Sequence, residues 1–294
     1  MEKIPFVKAG TYLFRFMDSR TEHFWPAITD MLSEQTLFVN SRTRFNDPYD
    51  SHPIIENDLS TSAVRAYCEE MIKNPFDPKR SLTGIAHILD LKASGRTRLN
   101  KKMVENIKAE MRQATEDFLD TGGLLSFSLT AENPLLWGHY AASFAGICAI
   151  FRRSASTDSA LSICASVSYV DKRPHLPMSL FHEMSIRRIS GQDFDDIAND
   201  IFFLSFLHKS DHWAYEQEAR IFYPFSAFQK LSFEPSELVG FILGPKSSSD
   251  LEQKMRTEIK KRRPSVALHK SSLSQNDFRI IIPHKFTQRH KHAA

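Results

Sequence analysis

Residues 124–151, LLSFSLTAENPLLWGHYAASFAGICAIF, are the stretch that decides how the rest of this chain folds. Its two apolar runs, 124–129 and 146–151, are bounded by Asn, Pro and Gly, a pattern that is typical of buried strands. Between the runs, a turn leads into a short helical stretch that carries three ring side chains, Trp137, His139 and Tyr140. The segment therefore predicts two core strands joined by one wall of a binding site.

The composition is that of a globular protein. The 294 residues include 23 Phe, which is enough for a substantial core, and the net charge of +3 is too small to argue by itself for nucleic-acid binding. Three cysteines without close spacing favour free thiols in a reducing compartment. The first ten residues, MEKIPFVKAG, contain no apolar h-region, and no apolar run reaches the ~18 residues that a membrane span needs. We therefore expect a cytoplasmic protein without a membrane partner.

The apolar periodicity predicts a single α+β domain over residues 1–294, with a mixed or antiparallel sheet at its core. Residues 59–119 differ from the rest, because their spacing is helical throughout and their middle part is basic and poor in apolar residues. We interpret this region as a helical insertion that covers one side of the domain. The basic tail at 284–294 is expected to be mobile.

Familiar catalytic and metal motifs are missing from the sequence. It has no Gly-rich phosphate loop, no His-Glu-x-x-His motif of the zinc-protease type and no Gly-x-Ser-x-Gly elbow. His208 and His212 are four residues apart, but without a third ligand nearby they favour a surface pair over a metal site. We therefore expect no metal.

Arg15 is the first polar residue to interrupt an apolar strand, in the sequence LFRF. A buried guanidinium must be paired, so Arg15 is predicted to meet either an internal carboxylate or an anionic ligand.

Two further pairs of polar residues interrupt apolar segments. Ser126 and Ser128 lie two residues apart on one predicted strand, so both hydroxyls point to one face, which is either a site or solvent. Glu216 and Glu218 also share a face, and two like charges that close raise the pKa of one carboxyl, as in many active sites. The alternative for the glutamates is a solvated edge with Arg220 as a partner.

The sequence Asn46-Asp47-Pro48 predicts a turn, because Pro fixes its own φ and favours extended geometry at Asp47. We expect this turn at the rim of the same cleft as Trp137 to Tyr140, with Asn46 and Asp47 contributing to ligand binding. Turn chemistry alone is the alternative explanation.

Nearly the whole chain resembles the bacterial domain-of-unknown-function family 2971. The resemblance rests on several blocks in the same order along the chain, namely TYLFRF, TLFVNSRTRFNDPYD, residues 124–151, VSYVDKRP, KSDHWAYEQEARI and LVGFILGP. The name of that family assigns no activity.

The order of Arg15, the Ser126/Ser128 pair and the Glu216/Glu218 pair is similar, more remotely, to the triad order of ADP-ribosyltransferases. This resemblance implies an ADP-ribosyltransferase-like fold and NAD as the cofactor. It implies that Arg15 holds a phosphate or ribose of NAD, and that the two serines brace the strand under the nicotinamide ribose.

The same resemblance implies a catalytic role for both glutamates. Glu218 would bind the ribose hydroxyl and stabilise the positive charge that develops as nicotinamide leaves, and Glu216 would orient the acceptor nucleophile. Tyr140 or Trp137 would stack on the nicotinamide ring, with His139 beside them. The protein would then be a toxin or phage-defence effector, with an unknown macromolecular acceptor and a neutralising partner.

Two other functions stay open at this point. The first is a non-catalytic sensor or regulator that binds a nucleotide or a protein in the same cleft. The second is a nucleic-acid enzyme that uses a divalent metal on carboxylates, Asp47, Asp50, Glu216 and Glu218, although no compact metal spacing supports it.

Overall fold

The computed structural model of the chain describes residues 4–73, 101–283 and 286. The chain divides into two compact units, where the sequence predicted one domain with an insertion. We call them the helical unit, residues 1–3, 45–121 and 172–208, and the sheet unit, residues 4–44, 122–171 and 209–294.

A seven-stranded sheet is the centre of the sheet unit. Its strands, in spatial order, are β13 (Ala267–Lys270), β12 (Leu238–Leu243), β5 (Ile147–Arg152), β1 (Tyr12–Met17), β4 (Gly123–Ser128), β10 (Glu218–Tyr223) and β6 (Ala165–Ser166). Neighbouring strands are antiparallel except β12 and β13, which are parallel. The prediction of a mixed or antiparallel sheet in an α+β protein is therefore confirmed, as are the two core strands within residues 124–151.

Alternation along each strand divides the core between the two faces of this sheet. On β5, Ile147, Ala149 and Phe151 belong to the larger apolar cluster, whereas Cys148 and Ile150 belong to the smaller one. All five are fully buried, so β5 is covered on both faces. An uninterrupted apolar run is the sequence signature of such a strand.

Short strand pairs complete the described sheet structure. They are β2 (Thr36–Phe38) with β11 (Lys230–Ser232), β3 (Ile54–Glu56) with β8 (His175–Pro177), β7 (Ser168–Val170) with β9 (His208–Ser210), and β14 (Ser272–Leu273) with β15 (Ile280–Ile281).

The described α-helices are, in chain order, α1 (Phe24–Thr29), α2 (Thr61–Lys73), α3 (Lys101–Asp120), α4 (Pro134–Tyr140), α5 (Met178–Ile189), α6 (Asp195–Phe206) and α7 (Ser249–Arg262). None of them is both long and apolar enough to cross a membrane. A π-helical turn, Asp30–Glu34, continues α1, and four 3₁₀ turns lie at Arg42–Arg44, Ala160–Ile163, Asp211–Glu216 and Pro235–Glu237.

The helical unit is built from α2, α3, α5 and α6 with the parallel pair of β3 and β8. Phe118 on α3 joins these helices, since its ring centroid lies 5.5 Å from that of Phe181 on α5 and 6.5 Å from that of Phe202 on α6. The predicted insertion at 59–119 is thus only part of a larger helical unit. Residues 74–100 of the insertion, and all of the 284–294 tail except Phe286, lie outside the described residues.

Two glycines, Gly146 just before β5 and Gly244 just after β12, allow backbone segments to meet closely. The Gly244 N–H donates to the Gly146 carbonyl at 2.9 Å, and the backbone of Phe144 also lies against Gly244. A Cβ on Gly244 would stand 2.2 Å from the Phe144 carbonyl oxygen, which is backbone and cannot rotate away. Only glycine fits this position.

We predict that Gly244→Ala lowers the free energy of unfolding by about 2–3 kcal/mol, because the backbone must move to admit the methyl group. Gly138→Ala is the matched control, since its Cβ would meet only the Phe144 ring at an ordinary 3.6 Å. The control should change stability by no more than about 1 kcal/mol. Urea unfolding followed by circular dichroism measures both, and equal effects of the two substitutions would contradict the packing described.

Candidate functional site

The two predicted glutamates come together, although strand alternation is not what joins them. Glu216 ends a 3₁₀ turn, Gln217 adopts a left-handed conformation with φ of 45°, and Glu218 begins β10. A left-handed conformation costs a non-glycine residue about 1–2 kcal/mol, so contacts elsewhere must hold this kink in place. Two hydrogen bonds from β4 and the residue after it do so, since the Ser128 hydroxyl donates to the Glu216 carbonyl at 2.6 Å and the Leu129 N–H donates to the Gln217 carbonyl at 2.8 Å.

A buried ion network of four residues, Lys209, Glu216, Glu218 and Arg220, forms the centre of the candidate site. The Lys209 ammonium donates to Glu216 Oε2 at 2.6 Å and to Glu218 Oε2 at 3.1 Å. Arg220 binds the same Glu218 carboxylate with two donors, Nε and Nη2, each at 2.8 Å. Two anions and two cations thus compensate one another.

The ion network is removed from water. The exposed fractions are 7% for Lys209, 4% for Glu216, 5% for Glu218 and 1% for Arg220. The solvated edge considered for the glutamates is therefore wrong, although Arg220 is indeed a partner. Removing one member of a buried ion pair costs about 3–5 kcal/mol, because the other charge is left uncompensated.

The pKa of Glu218 reflects this surrounding. Burial alone would raise the pKa, but Arg220 and then Lys209 outweigh it, with hydrogen bonds from Arg220 and Ser126, and they hold the pKa of Glu218 at about 2. Glu218 is therefore a fixed carboxylate that stays ionised at neutral pH.

Both predicted serines belong to the same site. Ser128 lies opposite Glu218 in the pairing of β4 and β10, and Ser126 lies opposite Arg220. The Ser126 hydroxyl hydrogen-bonds the Glu218 carboxylate, and the Ser128 hydroxyl donates to the Glu216 carbonyl at 2.6 Å. The face that they share is an internal polar face, and the solvent-facing alternative is wrong for Ser128, which is 5% exposed.

Two tyrosines tie further elements to the glutamates. The Tyr140 hydroxyl, at the end of α4, donates to Glu216 Oε1 at 2.6 Å. The Tyr169 hydroxyl, on β7, accepts from the Glu218 backbone N–H at 2.7 Å, and burial raises the pKa of Tyr169. Tyr140 is thus the one member of the predicted ring group that bonds a glutamate carboxylate directly.

Partly exposed rings border the ion network and form an aromatic cluster, which we define as Trp213, Tyr215, His139 and Tyr140. The Tyr215 ring centroid lies 6.0 Å from that of Trp213 and 6.4 Å from that of His139, which is itself 6.0 Å from Tyr140. The Lys209 ammonium also lies over the Trp213 ring, 4.9 Å from its centroid. Burial raises the pKa of Tyr215 as well.

Of the two partners predicted for Arg15, an internal carboxylate is not found among the described residues, and an anionic ligand stays a prediction. Its Nη1 donates to the Ser126 carbonyl at 3.2 Å, and no carboxylate among the described residues forms an ion pair with it. Leu13 and Met17 lie two residues to either side on β1 and pack with the larger apolar cluster. By alternation, the Arg15 side chain therefore lies on the face of the sheet opposite to the Ser128 side chain. Burial lowers the pKa of Arg15 to about 10.

Trp137 lies inside the core and not at a surface. It is fully buried in the smaller apolar cluster, its Nε1 donates to the Ala131 carbonyl at 2.8 Å, and its ring meets Phe16 edge-to-face. In this conformation a ligand ring has no access to it. Trp137 therefore supports the position of Tyr140 rather than contacting a ligand.

The predicted turn at Asn46 and Asp47 is confirmed as a turn. The Asp47 carboxylate accepts from the Tyr49 N–H at 2.8 Å, and the Asp47 carbonyl accepts from the Asp50 N–H at 3.2 Å. Asn46 and Asp47 belong to the helical unit, whereas Trp137, His139 and Tyr140 belong to the sheet unit. A common cleft for the two groups stays a prediction.

Sequence reasoning missed Lys209, Tyr169, Trp213 and Tyr215 as members of the site. Arg220 carried a usable signal, since it follows Glu218 by two residues on the same strand and must share its face. The sequence around Lys209 gave no such signal, because Lys209 lies in the short strand β9 and is joined to the glutamates only through the turn that follows.

No group of three or more His, Cys, Asp or Glu residues that could hold a metal ion occurs among the described residues. No protein-family model matches the chain, and neither a curated protein nor a solved structure matches it. The resemblance to family 2971 and the more remote resemblance to ADP-ribosyltransferases both stay predictions.

We predict that Glu218 contributes to the loss of stability in acid. Its folded pKa is depressed from 4.5 to about 2, so its contribution is complete above about pH 4.5 and is lost as the pH falls towards 2. The free energy of unfolding should therefore fall by about 2 kcal/mol from this group between about pH 4.5 and 3.

Urea unfolding between pH 7 and 3 measures this contribution. Glu218→Gln should flatten the acid slope, although it starts from lower stability because it leaves Arg220 and Lys209 undercompensated. Glu258→Gln is the matched control, since Glu258 forms only a surface pair with Arg262 at 2.7 Å. An unchanged acid slope in Glu218→Gln would show that this carboxylate is not held ionised by the network.

Proposed function

We propose that the sheet unit binds NAD and transfers its ADP-ribose group to an acceptor. The observation that carries the proposal is the convergence of Ser126, Ser128, Glu216 and Glu218 on one buried face. These residues are up to 92 positions apart in the chain, and hydrogen bonds join each serine to one of the glutamates.

The chemistry requires an anion fixed beside the reacting ribose. As the bond between ribose and nicotinamide breaks, nicotinamide leaves with the electron pair and positive charge develops on the ribose ring. Glu218 would stabilise that charge, because it is ionised, desolvated and already oriented by Arg220 and Ser126. Glu216 would orient the acceptor, which bonds to the ribose carbon as its proton passes to the solvent.

The aromatic cluster fits the nicotinamide ring of such a ligand. Nicotinamide in NAD is a cationic ring, and a cation over an aromatic face is attracted by the ring quadrupole. Tyr215 and His139 offer partly exposed rings, and Tyr140 links that surface directly to Glu216. A macromolecular acceptor, a neutralising partner and a role as a toxin or phage-defence effector belong to the same proposal.

A second candidate is the binding of a nucleotide or a protein without turnover. It is favoured because every carboxylate oxygen already has a hydrogen-bond donor within the protein. Arg220 and Lys209 bind the two oxygens of Glu218, and Lys209 and Tyr140 bind those of Glu216. In this arrangement the negative charge is compensated, and the network would serve to hold the aromatic cluster.

The two candidates differ in turnover. We predict that the purified protein releases nicotinamide from NAD and transfers labelled ADP-ribose to a component of a bacterial lysate. Glu218→Gln should lower the rate by a factor of about 10²–10³, the usual cost of losing one preorganised electrostatic group. Glu216→Gln should reduce transfer to the acceptor more than it reduces hydrolysis of NAD.

Glu258→Gln serves again as the surface control, and circular dichroism establishes that each variant is folded before its rate is interpreted. Binding of NAD by the wild type without any turnover would favour the second candidate. Full activity in folded Glu218→Gln, or no interaction with NAD at all, would overturn the proposal.

A further inference from the structure

We infer that Glu216, Glu218 and the Trp213 ring form a binding site for a primary ammonium group, which Lys209 occupies as an internal ligand. The inference rests on the proposed function only in that Glu216 and Glu218 are also the two carboxylates of that function. The ligand class is a primary alkylammonium ion, and Lys209 is its competitor.

The contacts of Lys209 are those of a recognised ligand. Its ammonium donates to one carboxylate oxygen on each of Glu216 and Glu218, and it lies 4.9 Å from the centre of the Trp213 ring. Two anions and an aromatic face are the groups that select an organic cation with N–H donors. No other lysine among the described residues combines an aromatic face with two buried carboxylates.

The backbone that delivers Lys209 is separate from the main sheet. Lys209 lies on the three-residue strand β9, which pairs only with the three-residue strand β7 in the described structure. The carboxylates also have partners outside β9, namely Arg220 and Ser126 for Glu218 and Tyr140 for Glu216. Both carboxylates therefore keep hydrogen-bond partners of their own when the lysine is removed.

Removing the lysine should leave a vacancy of defined shape. Lys209→Ala deletes three carbons and the ammonium, which together correspond to the propylammonium ion. Without a replacement, two carboxylates remain against one guanidinium, an arrangement that is strongly destabilising. An external propylammonium ion that binds there should restore the lost stability in a saturable manner.

The experiment measures the melting temperature of Lys209→Ala against the concentration of propylammonium chloride, with sodium chloride at equal ionic strength as the reference. The melting temperature should rise by about 3 °C or more at ten times the dissociation constant. Tetramethylammonium should not reproduce the rise, because it has no N–H donors. The wild type should not respond, because its own lysine fills the site.

Lys230→Ala is the matched control. Lys230 also bridges two carboxylates, Asp30 at 2.8 Å and Glu34 at 3.4 Å, but its side chain is 43% exposed, so propylammonium should give it no saturable rise. Adding Glu216→Gln to Lys209→Ala should weaken the rescue at least tenfold.

Three results would overturn the inference. They are a folded Lys209→Ala that gives no saturable rise, a rise that tetramethylammonium matches, and a Lys209→Ala that fails to fold even when propylammonium is present throughout purification and refolding. Because the readout is ligand binding, these outcomes do not depend on whether the wild type turns over NAD.

Discussion

The bidentate ion pair between Glu218 and Arg220 is the interaction on which the rest of the site depends. Arg220 is 1% exposed and lies in the middle of a core strand, so its charge must be compensated inside the protein. Glu218 supplies that compensation through two hydrogen bonds in the fork geometry that a guanidinium favours. Lys209 and Ser126 also bind the Glu218 carboxylate.

One carboxylate with one guanidinium is already balanced in charge, yet the network contains a second anion, Glu216, and a second cation, Lys209. Glu216 and Lys209 extend the pair to four charges, and a left-handed residue is tolerated at Gln217 to place Glu216 there. Buried ion pairs are weak contributors to stability when compared with apolar packing of the same volume. The backbone strain and the desolvation of this arrangement are therefore not explained by a gain in stability.

The sequence predicted the parts of this protein that follow from periodicity. The strands within residues 124–151 and the shared face of Ser126 and Ser128 follow from spacing along one segment, whereas Glu216 meets Glu218 through the left-handed turn at Gln217. Arg220 was visible as a partner of Glu218 from spacing along one strand. A strand alternates its side chains wherever it lies in the fold, so these features need no knowledge of the rest of the chain.

The features that the sequence did not predict depend on how distant segments meet. Lys209 reaches the glutamates through a separate short strand, and no pattern around it marks it as buried. Arg15 shows the limit of the same reasoning, since its guanidinium donates to the Ser126 carbonyl and no carboxylate among the described residues pairs with it. The division into two units was also hidden, because the helical unit is assembled from two separate main segments, 45–121 and 172–208.

The most direct test of this account is a double-mutant cycle between Glu218→Gln and Arg220→Met, read as free energies of unfolding at neutral pH. If the two residues form the compensating core of the network, the double variant should be less destabilised than the sum of the single variants by about 2 kcal/mol or more. Single effects that add to within about 0.5 kcal/mol would mean that the two charges do not depend on one another, and the account would be wrong.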